Sequence, residues 1–223
     1  MHIDSVNMRL YIDTVYMHGA TMFIPRISLF MMAFLSITIA LASYRFLALG
    51  LPLAFNEMPG HIENRLLAFV VHISAAPVAL LVGSLQMLPK LRSWSPVYHR
   101  WAGRLYGVAV LVGSVSGLII AFGAEGGVAA QVGFSMLALV WLWVTVKAVI
   151  YARNRQIADH RRWMIRSFAL TFAGVTLRLQ LLGFMFAGFE YNEASVYLAW
   201  LCWIPNLIAV EWWLRRRRSS LQN

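Results

Sequence analysis

Six long apolar stretches, separated by short charged or turn-forming segments, constrain this chain more than any other feature. They run at about residues 28–49, 65–88, 102–123, 128–151, 164–188 and 194–214. Roughly 20 apolar residues coiled at 1.5 Å per residue cross the ~30 Å hydrocarbon core of a bilayer, and a soluble core helix has no need of that length. Within hydrocarbon a segment must satisfy its own backbone hydrogen bonds, so each of these is expected to be an α-helix. Composition agrees, since 60% of the 223 residues are hydrophobic and only 13% are charged, about half the charged share of a soluble domain. The sequence predicts an all-α polytopic integral membrane bundle of six transmembrane helices over residues 27–223, preceded by an N-terminal extension of residues 1–26. Arg26, the apolar run after it and Ala40-Leu41-Ala42 partly imitate a secretory signal. The stretch before that run is long for such a signal, and the run is assigned as the first span.

Loop charge sets the expected orientation. Lys90, Arg92, Arg100 and Arg104 fall in one loop, Arg153, Arg155, Arg161, Arg162 and Arg166 in another, and Arg215, Arg216, Arg217 and Arg218 in the tail. With six spans these lie on one side, whereas Glu57, Glu63, Glu125, Glu190 and Glu193 lie on the other with Arg65. The positive-inside rule then places the arginine loops and both termini in the cytoplasm of a multi-pass protein. Trp94, Trp101, Trp163, Trp212 and Trp213 mark the same inner boundary. The net charge of +10 is thereby explained by topology and anionic lipid, and nucleic acid is not an expected partner. The single cysteine, Cys202, excludes an intrachain disulfide and any cysteine-built metal site.

Polar residues inside the spans carry the functional information, because burying them in lipid is costly. Span two has Arg65, Phe69, His72, Ala76, Ala79, Gly83 and Gln86 on one face. Span three has His99, Gly103, Gly107, Val110, Ser114 and Gly117, and span five has His160, Met164, Ser167, Thr171, Gly174 and Arg178. Gly103/Gly107 and Gly113/Gly117 are small-residue pairs that let helices approach closely. Spans two, three and five are expected to pack together with these stripes inward, and Pro77 and Pro205 to kink spans two and six. Helix rise puts His72 about 24 Å, and Arg178 about 22 Å, from the inner ends of their spans, so the two share an outer level. There, either neutral His72 accepts a hydrogen bond from Arg178, or Arg178 awaits an anionic ligand in a wet cavity. His99 and His160 share the inner boundary. His61 reads as an ordinary loop residue, and Glu211 and Lys147 as residues that snorkel to the interface.

His99-Arg100-Trp101 with Arg104 echoes His160-Arg161-Arg162-Trp163 with Arg166, as in a duplicated two-helix unit. Each unit sets an imidazole, fixed positive charge and a helix N-terminus at one level, a combination suited to a phosphate, a carboxylate or a haem propionate.

Three ordered segments carry a family resemblance: His72-Ile-Ser-Ala-Ala-Pro through Gln86, Tyr98-His-Arg-Trp-Ala-Gly-Arg-Leu-Tyr106, and His160-Arg-Arg-Trp-Met-Ile-Arg-Ser-Phe-Ala-Leu170. Over about residues 65–180 the chain resembles the bacterial predicted membrane proteins grouped as domain of unknown function 2306, which implies a bacterial cytoplasmic (inner) membrane location. The His99-Arg-x-x-Gly103 helix start also resembles, loosely, the cytochrome b561-type membrane haem proteins. That likeness implies a b-type haem redox or electron-transfer protein, in which His99 and His160 ligate the iron while Arg100, Arg161 or Arg166 neutralises the propionates. His72, Gln86 and Arg178 would line an intramembrane polar path for protons, a quinone or a second cofactor. Expected partners are the lipid bilayer and a quinone or another membrane redox protein. The alternative is a non-redox transporter or accessory membrane subunit binding a small anion or lipid headgroup. Hydrolytic chemistry has no support, since no nucleotide motif, nucleophile triad or carboxylate pair occurs.

Overall fold

The computed structural model of the protein describes residues 26–88 and 95–219. Residues 1–25 of the N-terminal extension, and Lys90, Arg92 and Trp94 of the first basic loop, lie outside the described residues. Among those described, every regular element is a helix. α1 (Arg26–Ser43) and α2 (Phe46–Leu49) form the first span, and two short helices follow, α3 (Leu51–Ala54) and α4 (Pro59–Asn64). α5 (Leu66–Met87), α6 (Pro96–Ala121) and α7 (Gly127–Arg153) are spans two to four. α8 (Ile157–Thr171) with α9 (Ala173–Phe186) forms the fifth, and α10 (Tyr191–Leu201) with α11 (Ile204–Ser219) the sixth. Among the described residues six helices are long and apolar enough to cross a membrane, and their outward faces carry large hydrophobic side chains such as Phe30, Leu67, Val108, Leu139 and Leu182. The end bearing the arginine loops is called inner below, following the charge rule.

Local chemistry explains where the spans begin. Ser95 caps α6, its side chain accepting from the Tyr98 amide, and Pro96 occupies the first turn, where a missing N–H costs nothing. Glu190 and Glu193 form a reciprocal capping box at the start of α10. Gly126, at φ 94°, leads into α7, and a Cβ there would lie 2.9 Å from the Asn192 carbonyl oxygen. Only glycine suits both that backbone and that approach.

The centre of the bundle is a polar knot set in an apolar shell. The Tyr106 hydroxyl of α6 lies 2.7 Å from both Ser167 Oγ and Thr171 Oγ1 of α8. Trp141 of α7 donates its indole N–H to Thr171 Oγ1 at 2.9 Å, and Thr145 Oγ1 lies 2.6 Å from Ser167 Oγ. All five residues are buried, surrounded by Ala79, Val110, Val144, Leu170 and Ala173. Span two joins through Gly83, where a Cβ would stand 2.8 Å from Tyr106 Cε2 and 3.0 Å from Phe168 Cδ2. The expected convergence of spans two, three and five is present. Span four, which the stripe reading left out, supplies Trp141 and Thr145.

Two spans are interrupted. The fifth breaks at Phe172 and the sixth at Cys202-Trp203, just before Pro205. The breaks are tied to each other. Thr176 Oγ1 donates to the Cys202 carbonyl at 2.5 Å, while Asn206 Nδ2 approaches that carbonyl at 3.0 Å, Thr176 Oγ1 at 3.2 Å and the Ala169 carbonyl at 3.3 Å. Carbonyls freed by an interrupted ladder are thus satisfied inside the protein, as lipid requires. Pro205 acts as expected, whereas Pro77 lies within a helix that runs unbroken from Leu66 to Met87.

Two measurements check this architecture. Tyr106→Phe keeps the ring but removes the central hydroxyl, and should lower unfolding stability in mixed micelles by about 1–2 kcal/mol; an unchanged midpoint would show the knot to be idle. Reporter fusions after Ile157 and at the C-terminus should read cytoplasmic and fusions beside Glu125 and Asn192 external, and an external C-terminus is incompatible with the orientation.

Candidate functional site

The polar side chains divide between the two ends of the bundle. At the inner end, His99 sits in the first turn of α6, facing the buried Gln86 in the last turn of α5. Gln86 grips it at two points: Nε2 donates to the His99 carbonyl at 2.8 Å, and Oε1 accepts from His99 Nδ1. Gln86 therefore belongs with His99 and not, as the stripe suggested, with His72 and Arg178. His160, near the start of α8, donates from Nδ1 to the Ala148 carbonyl of α7 at 2.9 Å. A carbonyl oxygen only accepts, so Nδ1 carries the proton in both rings and the neutral form has its lone pair on Nε2.

Tyr106 and Ser167 lie seven residues beyond His99 and His160 on their helices. Seven residues are nearly two turns and return to the same face. The 2.7 Å contact of Tyr106 with Ser167 therefore sets the two histidines on matching faces of α6 and α8, about 10 Å nearer the inner end.

The arginines differ in availability. Arg166 forms a two-point ion pair with Glu211 of α11, its Nη2 lying 3.0 Å from Oε2, and stacks over Trp163 at 5.1 Å. Glu211 is thus a structural partner and not a snorkelling residue, and Arg166 is already neutralised. Arg162 pairs with Asp159 at 3.2 Å. Arg100, exposed, and Arg161, half-buried, have no ion pair among the described residues.

At the outer end, His72 of α5 donates from Nδ1 to the Gly113 carbonyl at 2.9 Å, and its ring lies against Gly117. The second glycine pair of α6 is therefore where a histidine docks. Arg178 of α9 donates from Nη1 to the Gly174 carbonyl at 2.7 Å. The expected bond between the two is not made: each has turned to a glycine carbonyl instead. Two further groups escaped the sequence reading. His61 of α4 folds back, only 6% exposed, and stacks on Phe69 at 5.8 Å, with an Nδ1 that has no partner among the described residues. Arg45, just beyond α1, donates to the Ala54 carbonyl at 2.6 Å and lies 4.7 Å over Phe55. The clue was the lone arginine inside the first apolar block. Nearby, Glu57, Glu125, Met185, Phe189 and Tyr191 line a cleft of about 420 Å³. Burial and the Glu57 carboxylate hold Glu125 above the usual carboxylate range.

The family described as Predicted membrane protein (DUF2306) matches residues 69–214, from the start of α5 through most of α11. No curated protein and no solved structure matches the chain.

Burial, and next to it the Arg65 charge, push His61 below the ordinary histidine value of 6.5. A depressed value means the fold favours the neutral ring. His61 then contributes stability above pH 6.5 that is lost as pH falls through its lower folded value. Hydrogen exchange over residues 59–65, corrected for the intrinsic pH effect, should rise on acidification below about pH 6.5. His61→Phe, which keeps the stack on Phe69, should flatten that response; identical profiles for both proteins would refute it.

Proposed function

The chain belongs to the predicted membrane protein family DUF2306, and within it we propose a membrane redox protein that carries one b-type haem between His99 and His160. One observation carries the reading: both imidazoles have Nδ1 committed to an oxygen acceptor, the second-shell arrangement that orients a metal-ligating histidine through Nε2. The two histidines stand on α6 and α8, helices joined through the Tyr106 side chain, and would hold the group between them. A bound b-type haem supplies reversible one-electron exchange. The chain's own residues do the rest. Gln86 holds His99 in rotamer and tautomer, and the Ala148 carbonyl does the same for His160. Arg100 and Arg161 are the guanidiniums available to anionic propionates, since Arg166 is paired with Glu211. In this reading the protein sits in a bacterial cytoplasmic membrane and exchanges electrons with a quinone or another membrane redox protein. His72 and Arg178, at the other end of the bundle, are no part of the haem site.

Protein purified from haem-replete cells should show a Soret band that shifts on reduction and disappears in His99→Ala and in His160→Ala. Gln86→Ala should fold but retain haem about 10–100-fold more weakly. A colourless wild-type protein would remove the redox reading and leave the non-redox class, a transporter or an accessory subunit binding a small anion or lipid headgroup.

A further inference from the structure

α11 carries a groove on its lipid-facing side that the redox reading does not use. Two adjacent rows of side chains at i, i+4 spacing line it: Trp203, Leu207, Glu211 and Arg215 in one, Ile204, Ile208 and Trp212 in the other. The cavity measures about 390 Å³ and opens at Ile208 and Trp212, which are 62% and 55% exposed. Its deep end, at the break in span six, is apolar. Trp203 is buried there and donates its indole N–H to the Ala199 carbonyl at 2.8 Å, so its one polar side-chain atom is satisfied. Its shallow end is cationic. Arg215 lies about 18 Å of helix rise from Trp203, towards the inner end.

Charge and depth together define the occupant. Glu211 is the carboxylate on the groove, and Arg166 engages both of its oxygens. Arg166, Arg215 and Arg216 against Glu211 leave a surplus of two positive charges at the mouth. Arg215 is exposed and has no ion pair among the described residues, and the Arg216 guanidinium lies 3.7 Å over the Trp212 ring. The molecule that fits is apolar over about 15 Å, half the ~30 Å hydrocarbon core, and negative at its inner end. That is the form of an inner-leaflet phospholipid whose headgroup carries net negative charge. A soluble anion would leave the apolar rows uncovered, and a neutral quinone would leave the arginines uncompensated. Arginines at an inner boundary also meet headgroups diffusely. Arg104 supplies the comparison: it is exposed and lies over an aromatic ring, Trp101, at 4.6 Å, but it does not line the groove.

We propose that this groove binds an anionic phospholipid, with an acyl chain along Trp203, Leu207 and Ile208 and the headgroup phosphate on Arg215. The site is independent of haem, and its test reads binding alone. Delipidated full-length protein in an uncharged detergent is titrated with phosphatidylglycerol, phosphatidylcholine or sodium phosphate at constant ionic strength. Thermal unfolding is followed, and native mass spectrometry reads the lipid retained. Phosphatidylglycerol should raise the midpoint, the rise growing with the logarithm of its concentration, and a single lipid should stay bound. Phosphatidylcholine should bind about fivefold more weakly or worse, and phosphate alone should do nothing. Arg215→Gln should weaken phosphatidylglycerol about fivefold. Ile208→Trp, which fills the mouth of the groove, should weaken it as well, and Arg104→Gln should leave it unchanged. Equal responses to the two lipids would overturn the site, as would a rise reproduced by phosphate alone. An equal loss in Arg104→Gln would reduce the effect to diffuse surface charge and overturn it too. A midpoint that follows protein concentration and ignores lipid would give the face to a second copy instead. If Arg215→Gln does not fold, an undiminished response in Ile208→Trp overturns the proposal equally.

Discussion

The hydroxyl of Tyr106 is the contact on which the rest of the bundle depends. Lipid tails are as apolar as leucine, so helices in a membrane gain little from burying apolar faces against each other and rely on close packing and inter-helical hydrogen bonds. Tyr106 supplies both. Its ring fills the space beside Gly83 and Phe168, and its oxygen joins hydroxyls from α8 that are held in turn by Trp141 and Thr145 of α7. Four spans converge there. Because the partners are mutually satisfied, the polar cost of the knot is met internally, and the spans have one rotational setting in which this is so. The inner histidines inherit their facing from that setting.

The paired breaks in spans five and six have a different effect. A continuous helix would carry its inner and outer halves along one line. Interrupting it at Phe172 lets α8 pack against the Tyr106 knot while α9 leaves it to meet α1 and α5. Thr176 and Asn206 keep the interruption closed to lipid. The two polar ends of the bundle are thus served by different halves of the same span, His160 on one and Arg178 on the other.

Much of this was legible in advance. Block length alone gave six spans, because hydrocarbon thickness leaves little choice, and their ends fell within several residues. The stripes of spans two, three and five gave the packing partners through glycine, serine and threonine. Three features were hidden. Trp141 and Thr145 escaped because span four carries no continuous stripe of small and polar residues, and only their i, i+4 spacing betrays them. The stripe of span two placed Gln86 correctly on a face but could not name its partner; that follows from the first turn of α6 packing against the last turn of α5. His61 and Glu211 were read as surface residues because sequence gives no depth to a short helix folded over the bundle mouth, nor to the pairing of a boundary carboxylate with a distant arginine.

His72 and His160 each give their Nδ1 proton to a main-chain oxygen of a neighbouring span, at Gly113 and Ala148. A main-chain acceptor is the same oxygen whatever side chain stands on it. Single substitutions at positions 113 or 148 therefore cannot delete the acceptor; they can only displace a whole helix. The orientation of these two rings is protected from point mutation as long as the spans stay in register. His99 is the exception: the acceptor of its Nδ1 is a side chain, so a substitution at position 86 can remove that acceptor outright. The acceptor of two of the histidines is thus fixed by the backbone, and that of the third by the identity of one side chain.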